Sequence, residues 1–425
     1  MTEQPNTLQL TKSVYARDEV EAMLLFALIK KSPVEECLFW THELLASGFD
    51  MSELIWTIYF DFYFQLNPSL IHTISKRLSK HRKGNNEGIY SLIKTLRIRQ
   101  SVDNVFTLRH SKVLENLTVT RGRVPAWLLP YDKTVRPFSR AVYNLDWKRI
   151  VDYIQNQRLS SLEMVKSMIG ALVQQNKIYY LDGKSIDDVV TAWEHNIKMD
   201  GVDEYHYTLA LLSCLLTDDE LIEPSSRIIA LTATESEYVA QMDCDQQDGQ
   251  ECPDYVFSDL KLHQARHYPI NPDVLVFDLA RKKYGSPAKV REEYGENWLW
   301  HCKTTPYWQK VFEKYDVVMP TEPNGKFVCE NDPEQYKLYK FEEEYSYMFD
   351  LDELYMAPLM DCCWHIPTTH DEKDVVDLLD EIYDEKYDNV RFEFAGIGVG
   401  VKNLSYVNRN NVFDVSKLQR VLSTI

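Results

Sequence analysis

The chain has 425 residues, a formal net charge of -18, and is 44% hydrophobic and 26% charged. That apolar share excludes a disordered chain, and 14 glycines against 26 tyrosines disfavour collagen-like and glycine-loop-rich designs. No run approaches the ~20 apolar residues that span a bilayer. The start, MTEQPNTLQL, has no basic stretch ahead of an apolar core, so secretion is not expected.

The net charge hides a division. Residues 1–150 carry 21 Lys and Arg against 15 Asp and Glu, and residues 76–149 alone carry 17 against 5. Residues 321–390 reverse this, with 5 against 20. Such asymmetry concerns partners and solubility rather than fold. The eight cysteines are dispersed in a long chain, and reduced thiols are expected.

The N-terminal region reads as consecutive helices over 18–31, 33–47, 51–66 and 68–81. Asp18 with Glu21, Ser32 with Glu35 and Asp50 with Glu53 have the spacing of capping boxes, in which a side chain accepts from an early helical N–H. Pro33 suits a first helical position, and Gly48 suits a left-handed cap. The third helix, SELIWTIYFDFYFQL, is apolar nearly all round, and such helices are buried between others. A turn is expected at 83–88, then helices at 89–99 and 101–110. The proline-bearing stretch 119–138 reads as extended or looped. Helices follow near 146–157, 161–176, 186–198 and 203–216, with Ser160 and Glu163 forming another box.

Residues 233–256 are polar and acidic, and read as a long surface loop or boundary. Helices resume near 272–284, 287–294, 304–315, 333–349 and 371–386. The segment 391–407, with Gly396, Gly398 and Gly400, reads as a small hairpin or as glycines packed against another backbone.

Four constellations bear on chemistry. Gly183-Lys184-Ser185 resembles the end of a phosphate-binding loop, but Ile178 stands where that loop needs glycine. The plainer reading is Ser185 capping the next helix with Asp188. Cys244, Cys252, His263 and His267 bring sulfur and nitrogen ligands of the kind zinc favours, though the cysteines are spaced wider than a usual zinc knuckle. The alternative is a polar loop beside a surface helix, and no other cofactor is expected. Cys362-Cys363-Trp364-His365 with His370 is a second such group, read as core or boundary packing. The basic stretch 76–149 interleaves cations with Phe106, Trp127, Tyr131, Phe138 and Tyr143, which suits phosphates and unpaired bases. Arg97, Arg99, Arg121, Arg123, Arg136 and Arg140 are its candidate nucleic-acid contacts. The alternative is a solvated face answered by acids elsewhere.

The segment Asp18–Pro68 carries a family resemblance. DEVEAMLLFALIKKSPVEECLFWTHELLASGF, then ELIWTIYFDFYFQLNP, resembles uncharacterised helical proteins of giant viruses, the nucleocytoplasmic large DNA viruses. It covers about an eighth of the chain. The resemblance implies a virus-encoded protein made in host cytoplasm or packaged in the virion, and brings no catalytic residues with it.

The expected fold is mainly α: antiparallel helical hairpins stacked as an irregular HEAT- or TPR-like array. Its expected parts are an N-terminal array (1–120), a connector with a second helical region (121–232), and a more irregular acidic region (233–425). Stacked helices leave extended surfaces. The leading expectation is therefore a non-enzymatic interaction or structural protein, acting as an assembly scaffold or adaptor through protein contacts or self-association. The alternatives are a nucleic-acid-binding accessory of replication, transcription or packaging, and a metal-dependent enzyme.

Overall fold

A computed structural model describes residues 9–84, 86–110, 124–175, 185–244, 268, 299–319 and 328–329. These are mainly helical and fall into two compact units. The first holds α1 (Arg17–Lys30), α2 (Val34–Ala46) and, from later in the chain, α12 (Ala233–Cys244) and α13 (Pro306–Lys314). The second holds α3 (Ser52–Ile58), α4 (Ile71–His81), α5 (Glu87–Ile98), α6 (Asn104–His110) and α7 (Arg136–Tyr143). It continues with α8 (Trp147–Gln155), α9 (Ser161–Gln175), α10 (Ile186–Ile197) and α11 (Glu204–Leu215). Helices joined by short links pack side by side, α1 on α2, α4 on α5, α7 on α8 and α9, which is consistent with an irregular helical array.

In the first unit, α1 buries Val20, Met23, Leu24, Ala27 and Leu28 against α2, whose Leu38 and Trp40 are fully enclosed. Each Val, Leu or Met side chain so removed from water contributes about 1.5–3 kcal/mol. The helix ends at Gly48, at a φ of 82°, where Gly48 N–H reaches Leu45 O and Phe49 N–H reaches Leu44 O. A Cβ there would also lie 2.8 Å from that of Pro306. The chain before α1 is tied down at both sides. Buried Glu43 accepts from the N–H of Ser13 at 2.7 Å and its hydroxyl at 3.0 Å, while Trp308 Nε1 of α13 donates to Thr11 O at 2.9 Å. After α13, Val317–Val318 (β1) pairs antiparallel with Val328–Cys329 (β2).

Several expected starts are realised. Ser185 accepts from Asp188 N–H while Asp188 accepts from Ser185 N–H, so the Gly-Lys-Ser segment ends in a capping box. Ser160 and Glu163 make the same exchange. Other starts differ. α1 begins at Arg17 with Ala16 at its cap, which has no side-chain acceptor, and Glu21 pairs with Arg17 at 2.7 Å. α2 has Pro33 itself at its cap, again without a side-chain bond.

The polar stretch expected as a loop from 233 opens instead as helix α12. Thr232 N–H reaches Glu235 at 2.6 Å and Glu235 N–H reaches Thr232 Oγ1 at 3.3 Å, a capping box that starts the helix. Packing on α2 then holds a segment of little intrinsic amphipathicity. The hairpin expected at 391–407 and the helices expected at 272–294 and 333–386 lie outside the described residues.

Candidate functional site

Two places in the second unit concentrate polar chemistry. The first lies on the continuation of α3. Tyr59–Tyr63 forms a π-turn, with Phe64 N–H donating to Tyr59 O at 2.7 Å. Such turns carry one extra residue and recur at functional positions. Asp61 sits in its middle, 1% exposed. It accepts from Arg109 Nε at 3.0 Å and lies 2.7 Å from His206 Nε2. Burial pushes its carboxyl up, but attraction and hydrogen bonds from His206 and Arg109 outweigh that and hold it down at about 2.

Aromatic packing fixes the turn. Phe60 stacks on Tyr207 of α11 and Phe62 on Phe106 of α6, at 5.2 and 5.1 Å between ring centres. Polar links extend from it: Gln65 Nε2 to Thr217 Oγ1, and Asn104 Nδ2 to Gln65 Oε1, both at 3.0 Å. Nearby Asp103 is 7% exposed, and its carboxylate oxygens find no hydrogen-bond partner outside residue 103. Burial pushes its carboxyl up to about 7. An Asp–His pair can orient an imidazole for proton transfer. Among the described residues, no hydrogen bond from a serine, threonine or cysteine to His206 accompanies its contact with Asp61. The arrangement pins the π-turn to α6 and α11.

The second place is the face of α4 and α5. Residues 222–230 cross it as a strap without helix or strand. Side chains of the two helices and of the residues flanking them read the strap's backbone. Ser69 donates to Glu223 O at 3.2 Å, Thr73 to Ser226 O at 3.2 Å, and Lys94 Nζ to Ala230 O at 3.1 Å. Arg99 donates to Ser225 O at 2.9 Å and to Arg227 O at 3.4 Å. In return Ile229 N–H donates to Thr95 Oγ1 at 2.9 Å, and Glu223 N–H to Leu66 O at 2.8 Å. Arg99 also pairs with the Glu223 carboxylate at 3.1 Å. Ser225 N–H on that carboxylate, together with Arg99, holds it below its ordinary range. Beside the strap opens a cleft of about 920 Å³, bordered by Ile98 and Leu221, which are 47% and 51% exposed.

The candidate cations therefore have varied fates. Arg99 is committed to the strap. Arg136 donates to the carbonyls of Tyr131 and Leu129, both at 2.9 Å, and so ties the loop before α7. Arg97 on α5 and Arg140 on α7 are half-buried. Arg121 and Arg123 lie outside the described residues. Of the stretch's other cations, Arg82 pairs with Asp200, Arg109 with Asp61 and Arg149 with Asp146. Cys244 ends α12, while Cys252, His263, His267 and the 362–370 group lie outside the described residues. Among the described residues no three His, Cys, Asp or Glu side chains are placed to hold a metal ion, and no helix is long and apolar enough to cross a membrane.

Composition pointed to the basic stretch but not to the strap, nor to the buried Asp61 centre. The usable signals were local: an acid set among aromatic residues in the third helix, and a proline followed by two serines where helical periodicity stops. Compared with family models, curated proteins and solved structures, the chain matches none.

Proposed function

We propose that this is a non-enzymatic interaction protein whose helical second unit takes extended polypeptide on the face of α4 and α5. The observation that carries the reading is the strap. Ser69, Thr73, Lys94 and Arg99 bind its carbonyls, which every sequence possesses, and Ile98 and Leu221 border the adjoining cleft. Backbone hydrogen bonds supply affinity while neighbouring pockets supply selectivity. The chain's own segment acts as the template for a partner segment, supplied by another protein or by a second copy. Together with the resemblance of 18–68, this supports a role as a virus-encoded adaptor or scaffold in assembly.

The test is mass measurement of the chain by light scattering at low and high salt, joined to capture of extended peptides carrying the sequence of residues 221–231 by the chain whose residues 222–230 are replaced by a glycine-serine sequence. Association, or peptide capture by the strap-replaced chain, supports the reading. A monomer at both salts whose strap-replaced form captures no peptide overturns it.

A second reading, nucleic-acid binding, draws support from exposed Lys76 and Lys80 of α4 and Lys83 just beyond it. It requires oligonucleotide binding that weakens steeply with salt and is lost when all three are reversed to glutamate. Absence of binding at low salt removes it.

A further inference from the structure

We propose that the cleft between α4 and the end of α10 is a binding site for a small phosphate-bearing ligand. This site is separate from the strap-bearing face. It encloses about 460 Å³. One wall is a stripe of α4: His72, Lys76 and Arg82, with Ser75 and Ser79, recur at the spacing of one helix face. The other wall carries His195 and Lys198, which share a face of α10 and its cap, and then Asp200.

The charge balance of this cleft is one-sided. Asp200 is the only carboxylate among its lining residues, and Arg82 already engages it. Lys76 and Lys198 remain, with the His72 and His195 rings facing one another at 5.8 Å between centres. Cations in the last turn of α10 complement its dipole, which accounts for His195 and Lys198. It does not account for His72 and Lys76, which come from a different helix and face the same space.

The walls are set in advance. Trp56 Nε1 donates to Asp200 O at 3.0 Å. Arg82 reaches the same carbonyl at 3.3 Å and Ser52 Oγ at 3.3 Å. The loop carrying Asp200 is therefore fastened to α3 and α4 before any ligand arrives.

A phosphate group fits this chemistry better than a carboxylate. It offers three acceptor oxygens to donors arriving from both walls. Its second ionisation, near pH ~6, lies in the range where imidazoles titrate, so dianion and imidazolium favour one another. The groups that face the two imidazoles are Lys76 and Arg82 from α4, Lys198 from the end of α10, and Asp200 from the loop after it. A small ligand fits better than a polymer. The volume falls within the ~300–1,000 Å³ of small-molecule sites. The one aromatic apart from the histidines, Trp56, is buried and offers no face for a base to stack on.

The experiment is histidine proton NMR of the full chain titrated with inorganic pyrophosphate, with His72→Gln and His195→Gln assigning the two signals. Saturable shifts of both signals on addition of pyrophosphate are expected. Binding at pH 6 should be at least about tenfold tighter than in the Lys76→Glu/Lys198→Glu variant, with circular dichroism unchanged. Three results would overturn the proposal: signals that do not move, equal affinity in the double variant, or a response to a single-stranded oligonucleotide but none to pyrophosphate. The last would identify a polymeric ligand instead.

Discussion

Arg99 and Glu223 meet at 3.1 Å, one at the end of α5 and the other at the head of the strap that crosses it. The same guanidinium also holds the carbonyls of Ser225 and Arg227, so one side chain grips three successive points of an extended backbone. A surface ion pair alone contributes about 0–1 kcal/mol. Added bonds from a charged donor make the contact worth more.

Arg99→Ala is therefore expected to release the strap rather than unfold the unit. A loss of about 1–3 kcal/mol local to residues 222–230 follows from the missing charge-assisted bonds. Hydrogen exchange should quicken at the Ile229 amide while α5 stays protected. Glu223 is held below its ordinary 4.5, so its contribution is present above that value and is lost as pH falls through its lower folded value. Strap amides should lose protection in acid before α5 does.

Asp61→Asn should be severe. It leaves Arg109 and His206 facing a buried neutral amide, and breaking one side of a buried charged pair costs about 3–5 kcal/mol. The pH dependence is separable. A carboxyl lowered from 3.8 to about 2 contributes about 2 kcal/mol, fully present above its unfolded value and lost as pH falls toward 2. Urea unfolding at pH 7 and at successive steps down to pH 2 should show that loss in the native chain, and not in the variant.

Asp103 works in the opposite sense. Its carboxyl is raised from 3.8 to about 7 by burial, so the folded state holds a proton that the unfolded state gives up. The stability this proton represents is complete below pH ~4 and is lost as pH rises through 7, a change of about 4 kcal/mol. Asp103→Asn removes the charge that burial penalises. The melting temperature of the variant should exceed that of the native chain at pH 8, and the difference should shrink at pH 5.

Gly170 lies in α9 where a Cβ would sit 1.9 Å from the Tyr131 hydroxyl. Gly170→Ala should cost about 1–3 kcal/mol through that overlap, despite the helical preference for alanine. With Tyr131→Phe in place the nearest ring atom is Cζ at 3.2 Å, and the cost should fall or reverse. A double-mutant cycle in thermal melts reads the difference directly.

The helices were legible because their signals are local. Ser160–Glu163 and Ser185–Asp188 announce starts that the chain uses, and Gly48 announces a stop. Asp18 and Ser32 were misleading for a local reason: α1 starts ahead of Asp18 with Ala16 at its cap, and Pro33 takes the cap position of α2. The helix at Ala233 hid because its polar residues mask its period, although Thr232 and Glu235 stand at capping-box spacing.

Candidate sites were less legible, since charge along a sequence does not say what each charge meets. Arg82, Arg99 and Arg109 look alike in a basic run, yet each answers a different acid far along the chain: Asp200, Glu223 and Asp61. Asp61 stands among aromatic residues in an apolar helix, and burial of such a charge demands a partner. Which partner it meets depends on how α6 and α11 pack around the π-turn.

The most direct test of the central claim is fluorescence anisotropy of a labelled peptide, LIEPSSRIIAL, matching residues 221–231. It is added to the full chain whose residues 222–230 are replaced by a glycine-serine sequence. Saturable binding is expected to this variant, weak or absent binding to the unaltered chain, and loss of binding when Arg99→Ala is added to the variant. No binding to the strap-replaced chain, or equal binding with and without Arg99, would contradict the claim.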